Sequence, residues 1–299
     1  MDTAGQPLGW GRHVVMVEPT HFRVDYAINP FMDPSDQPDP RRAMAQWHLL
    51  VDTFERLGVR VDVVPQRADA PDMVFAMNLG LGVVRETGPH VVMSHMRHPQ
   101  RRMETGSAQQ WFAARDWATT YVGRDGVGAH FEAGDAFAFG GALVVGYGPR
   151  TEELGLKHLA NDLGVPVRGL RITHPGMYHL DLAFCPLDSR RALVCPSAFD
   201  GASAKALLDA VPEALVLTEE EALTFCANSV VVGEVVVMPA CPDRVREKLE
   251  EWGFRVEIVD VSEFHKGGGS IRCLTNPVDL TLGRDLDVVP GGRVTLPLD

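Results

Sequence analysis

The sequence predicts an α/β chain in which five copies of one supersecondary unit close into a ring. Apolar, β-branched runs with strand character alternate with helical patterns along the 299 residues. A polar residue or thiol interrupts a similar apolar setting five times, at Asn78, Asp135, Asp181, Asn228 and Cys273. The intervals are 57, 46, 47 and 45 residues, the mark of a repeated unit. Each unit buries little alone. Five around an axis put the helices outside and bring the polar tips together at the centre. One domain over residues 1–299 follows from such closure. The competing reading is a mixed α/β chain whose spacing reflects only ordinary strand and helix lengths.

In chain order, strands are predicted at residues 13–17, 59–64, 91–94, 143–146, 192–195, 230–238 and 256–261. Between them, residues 41–57, 107–119, 151–163, 202–210 and 242–252 combine good helix formers with apolar positions at three-to-four spacing. Gly58 and Gly253 follow two of these segments, as glycine does at helix C-termini. The unit thus reads as strand, polar-tipped loop, one or two strands, then helix. Residues 30–42, rich in proline and acid, read as an exposed loop at the mouth of a site or at a contact surface. The stretch after Thr275 is expected to close a sheet or pack on its edge.

Lys and Arg total 28 against 40 Asp and Glu, a formal net charge of −12. Binding of nucleic acid through phosphate contacts needs a concentrated basic surface, so that class is set aside. No apolar run approaches the length of a spanning helix, and the first residues lack the basic-then-apolar order of a signal peptide. A soluble, cytoplasmic protein without a membrane partner is expected. The five cysteines, Cys185, Cys195, Cys226, Cys241 and Cys273, show neither CxxC nor zinc-ligand spacing. Neither a disulfide framework nor a structural metal is predicted.

Chemistry concentrates in a few residues. Cys273 follows three consecutive glycines, which permit close approach of a ligand, and a thiol there can serve as nucleophile. His179 is the histidine best placed to exchange protons with it: Asp181 lies two residues on, and on a strand the pair shares one face. Glu132 and Asp135 flank an Ala-Gly step, and Asp72 sits in an apolar segment. Acids in such settings call for a positively charged ligand.

These residues lie in segments that resemble the guanidino-group-modifying enzymes: HPQRRMET, HFEAGDAF, MYHLDLAFCPL and above all GGGSIRCLT, with PTHFRVDYAINPFMD and PDMVFAMNLG before them. The resemblance spans about residues 14–275 and is closest to the dimethylarginine dimethylaminohydrolases. It implies the pentein fold, a five-bladed α/β propeller of repeated β-β-α-β units, a small guanidino substrate, and neither metal nor organic cofactor. By motif match it implies Cys273 as nucleophile, His179 as acid and base, and Glu132 as hydrogen-bond partner of the guanidinium nitrogens and of the histidine. Asp72 and Asp181 would bracket the guanidinium, with Asn78 and Asp135 also at the substrate. Arg102 and Arg150 would bind its carboxylate, Arg101 being the alternative to Arg102.

Within the family, chain length and the opening motif place dimethylarginine first, giving L-citrulline and dimethylamine. Arginine deiminase or dihydrolase comes second and amidino transfer third. His179-Leu180-Asp181 departs from the first choice, since dimethylarginine hydrolases often carry lysine at the third position. A non-catalytic propeller binding module is the alternative from another class. Such a module has no reason to gather Cys273, His179 and Glu132. The oligomeric state stays open, a homo-oligomer included.

Overall fold

The computed structural model describes residues 5–124 and 127–297. Five sheets of three or four strands repeat one pattern, in which an inner strand runs antiparallel to a middle strand and an outer strand joins the middle one in parallel. A parallel partner cannot be reached by a tight turn, so a helix crosses from middle to outer strand in every blade. Blade 1 pairs Asn276–Pro277, His13–Val17 and Arg60–Val64, with helix Pro40–Arg56 as the crossover. Its inner strand comes from the far end of the chain and closes the ring. Blade 2 uses Gly80–Arg85, Gly88–Met93 and Ala118–Tyr121, and blade 3 uses Ala136–Phe139, Ala142–Tyr147 and Pro166–Arg171. Phe184–Pro186, Arg191–Val194 and Glu213–Val216 form blade 4, and Val230–Val232, Val235–Met238 and Arg255–Ile258 form blade 5. This is the five-bladed propeller that the repeat and the resemblance predict. The stretch after Thr275 also adds Leu280–Thr281 to blade 2 and Arg293–Thr295 to blade 3, as edge strands.

Local chemistry explains the elements. Asp39 caps helix Pro40–Arg56 by accepting from the backbone N–H groups of Arg41 and Arg42, with proline at the first helical position. Ala43, Trp47, Leu50 and Phe54 then bury one face. The predicted strand over 230–238 is a hairpin: Gly233, at φ +63°, makes the two-residue turn that pairs Val232 with Val235. The helix predicted over 107–119 lies at Arg102–Ala113. Thr119 and Thr120 are β-branched and pair with Val91 and Val92 instead.

The largest correction concerns the polar tips. Asn78, Asp135 and Asp181 lie in single 3-10 turns, Ala76–Leu79, Ala133–Asp135 and Leu180–Leu182, each just before an inner strand. Asn228 and Cys273 occupy non-repetitive turns at the same place in their blades. His179 and Asp181 therefore do not share a strand face. The backbone turns back on itself through Leu182 N–H to His179 O and Ala183 N–H to Leu180 O, and the strand begins only at Phe184. Asp72 likewise sits in a 3-10 turn, Pro71–Val74.

Candidate active site

The tips surround a narrow cavity whose lining includes Asp72, Asn78, Arg101, Arg150, His179 and Cys273. All are buried; Cys273 is 3% exposed and His179 1%. The glycine run forms one wall. A Cβ on Gly269 would stand 2.4 Å from the Phe75 ring and 3.0 Å from the Cys273 Cβ, so only glycine lets this wall close on the thiol. Gly268, at φ +83°, offers its carbonyl to the Tyr178 hydroxyl at 2.5 Å.

Cys273 Sγ receives the Asn228 Nδ2–H at 3.2 Å and faces Asp181 Oδ2 at 3.5 Å. Burial pushes the thiol well above its usual range and the Asp181 carboxylate pushes it further, which favours a neutral thiol donating to Asp181. His179 Nε2 lies 2.8 Å from Glu132 Oε2. Burial opposes ionisation of Glu132, yet Arg150 and His179 outweigh it and hold the carboxyl below the usual carboxylate range. Arg150 reaches Glu132 at 3.2 Å, donates to the Ile28 carbonyl at 3.0 Å and lies 4.5 Å over the Tyr178 ring. Glu132 Oε1 also accepts the Arg97 N–H.

Two carboxylates are left incomplete. Among the described residues Asp72 Oδ1 and Asp181 Oδ1 are buried without a hydrogen-bond partner, as is the Tyr26 hydroxyl that acts on Asp72. Burial raises both carboxyls, against the pull of Arg101 and Tyr26 on Asp72 and of His179 and Arg272 on Asp181. A site with two unpaired carboxylate oxygens is arranged for a cation rich in N–H donors.

Not every predicted residue lines the cavity; Glu132 and Asp181 are fully buried beside it, against His179 and Cys273. Arg102 is solvent-exposed and donates to the Met96 and Arg97 carbonyls. Arg101 occupies the cavity wall instead, bidentate to Glu104 at 2.9 and 2.8 Å and bonded to the Asp72 carbonyl. The residues stand at the junction of a 3-10 turn and an α-helix, where one step swings a side chain from inside to outside. Asp135 does not touch the cavity either. It accepts the Leu180 N–H at 3.0 Å and the Thr151 hydroxyl at 2.6 Å, fixing the turn between His179 and Asp181. Asn78 Oδ1 accepts the Gly134 N–H at 2.9 Å. Tyr178, Asn29 and Asn228 were not among the predicted site residues, although Asn228 carries the repeat signal.

The two arginines predict a contrast in thermal denaturation. Arg101→Ala strands the buried Glu104, already raised to about 7 by burial, and is expected to cost roughly 3–5 kcal/mol. Arg102→Ala removes only surface hydrogen bonds and is expected to stay within about 0.5 kcal/mol of the parent.

A propeller with thiol, imidazole and carboxylates gathered at its axis is the frame in which guanidino-group-modifying enzymes work. The model of the eukaryotic N,N dimethylarginine dimethylhydrolase family matches residues 18–280, and the chain belongs to that family. It is a hydrolase of guanidino C–N bonds in arginine derivatives. The N(G),N(G)-dimethylarginine dimethylaminohydrolase of Mycobacterium tuberculosis is 34% identical over 88% of this chain and 85% of its own length. The bifunctional arginine dihydrolase/ornithine cyclodeaminase ArgZ of Synechocystis is 35% identical over 88% of this chain, which spans 37% of that larger protein. The crystal structure of the ArgZ N-terminal domain, a cysteine-to-serine variant bound to substrate, superimposes with TM-score 0.83 at 33% identity, covering 90% of this chain and 98% of that one. Among the described residues no helix is long and apolar enough to cross a membrane.

Proposed function

We propose that the chain hydrolyses the unsubstituted guanidinium of L-arginine, releasing ammonia. Sequence likeness does not choose between arginine and dimethylarginine, because relatives named for each reaction stand at 35% and 34% identity. The observation that carries the choice is the pair of unpaired buried oxygens, Asp72 Oδ1 and Asp181 Oδ1. An unsubstituted guanidinium has five N–H groups to satisfy them. Two methyls on one nitrogen delete two donors and leave a buried carboxylate oxygen unmet, at a cost of roughly 1–3 kcal/mol. Chain length and the opening motif favoured dimethylarginine; the carboxylates favour arginine.

The reaction begins with entry of the cation between Asp72 and Asp181. Its charge neutralises the carboxylate that keeps Cys273 protonated, and the thiol passes its proton to His179, which thereby carries the proton needed for the leaving group. The thiolate attacks the guanidinium carbon and the adduct collapses. His179, held by Glu132, protonates the departing ammonia. The resulting thiouronium is hydrolysed by a water that gives its proton to the same histidine. Citrulline and free thiol result. Repetition of the sequence on citrulline would yield ornithine, carbon dioxide and a second ammonia. Arg101 and Arg150 supply positive charge for the substrate carboxylate.

Product analysis by mass spectrometry tests this, with Cys273→Ser as control. The enzyme is expected to turn over L-arginine about 5- to 150-fold faster than asymmetric dimethylarginine, the factor that roughly 1–3 kcal/mol implies. Citrulline and dimethylamine from the methylated substrate alone would reverse the assignment, and ornithine from arginine would extend it to a dihydrolase.

A further inference from the structure

The turn that carries Cys273 hangs on a residue of the preceding repeat. Asn228 is fully buried. Its Oδ1 accepts the Cys273 N–H at 3.1 Å and its main-chain carbonyl accepts the Arg272 N–H at 3.1 Å, so two successive residues of the turn are tied to it. Its Nδ2 donates to the Asp181 carbonyl at 3.0 Å and to Cys273 Sγ at 3.2 Å. One amide thus touches the sulfur, the backbone beneath it and the turn bearing the carboxylate that faces it.

We propose that Asn228 is a further working part of the reaction, fixing Cys273 in its attack position and stabilising the thiolate through the Nδ2–H to Sγ hydrogen bond. An amide does not ionise near neutral pH, so this contribution stays in place throughout the cycle. Asp181 Oδ2 also faces the sulfur, at 3.5 Å, the Ser270 main chain favours its charged form, and the charges of Tyr178 and Arg272 act on it through space. Asp181 works against the thiolate and Arg272 with it. The inference rests on Cys273 being the nucleophile of the proposed reaction.

Asn228→Asp is the sharpest test because it is isosteric. It keeps an oxygen for the Cys273 N–H and replaces the donor at the sulfur by an acceptor. The rate of Cys273 alkylation by iodoacetamide, followed against pH, is expected to move to higher pH by about one unit or more. Turnover is expected to fall about 10- to 100-fold in kcat, as for loss of one hydrogen bond to a charged group, with KM for arginine changing less. The new carboxylate shifts the profile by its own charge, so Asn228→Ala, which adds none, is measured beside it: a merely structural asparagine would lower stability in Asn228→Ala without moving the alkylation profile. Should Asn228→Asp not fold, Asn228→Ser and Asn228→Ala decide on the same readouts, the serine hydroxyl recovering part of kcat over alanine. A parental alkylation profile together with parental kcat in Asn228→Asp would overturn the inference. If Cys273→Ala is inactive in that case, the proposed reaction stands and only the role of Asn228 falls; if Cys273→Ala still turns over, the reading of the reaction itself fails.

Discussion

Cys273→Ser is expected to lower turnover of arginine by at least about 10⁴-fold, the scale seen when a nucleophile is removed from an otherwise intact site. A serine hydroxyl ionises far less readily than a thiol and no base beside Cys273 compensates: Asn228 donates to the sulfur, while Asp181 already attracts the arriving cation. The change removes little volume at a residue tied by its backbone to Asn228 and Met77, so stability is expected to stay within about 0.5 kcal/mol of the parent. Intact-mass spectrometry on rapidly quenched samples separates the causes. Parent protein mixed with arginine should carry a thiouronium on Cys273, and the serine variant should carry none. An adduct on any of Cys185, Cys195, Cys226 or Cys241 would defeat the assignment. Those thiols also lie above their ordinary range through burial, and none of them lines the cavity.

The sequence exposed the ring because the repeat is written in spacing, which needs no knowledge of contacts. Asn78, Asp135, Asp181, Asn228 and Cys273 recur because each precedes the inner strand of a blade. Their conformations were less legible. His179 and Asp181 read as strand because the following residues are apolar and β-prone. A carboxylate 45 residues away, Asp135, takes the Leu180 N–H and turns the chain. That same bond moves Asp135 from the substrate to the frame. The choice between Arg101 and Arg102 depended on where a 3-10 turn hands over to a helix, a boundary that pattern fixes only to within a few residues. Asn228 carried the period yet no chemistry of its own until the fold brought it to the sulfur. For Asp135 and Asn228 the side-chain type was readable and its partner was not, since the partner comes from another blade.

Asp181→Asn is expected to change two observables in opposite directions. The carboxylate both awaits the guanidinium and holds the thiol neutral. An isosteric amide leaves the turn intact, because Asn228 bonds the Asp181 main chain and Asp135 bonds the Leu180 N–H. With the negative charge gone, the Cys273 thiol loses part of its upward push, and alkylation of the free enzyme at neutral pH is expected to become faster. Turnover should fall about 10²- to 10⁴-fold, because an N–H of the amide now faces N–H groups of the substrate and a buried charge pair of roughly 3–5 kcal/mol is broken. Faster alkylation with slower catalysis separates this electrostatic role from damage to the nucleophile, which would slow both. Parallel loss of both rates would mean that Asp181 supports the thiolate, and would shift the burden of cation recognition to Asp72.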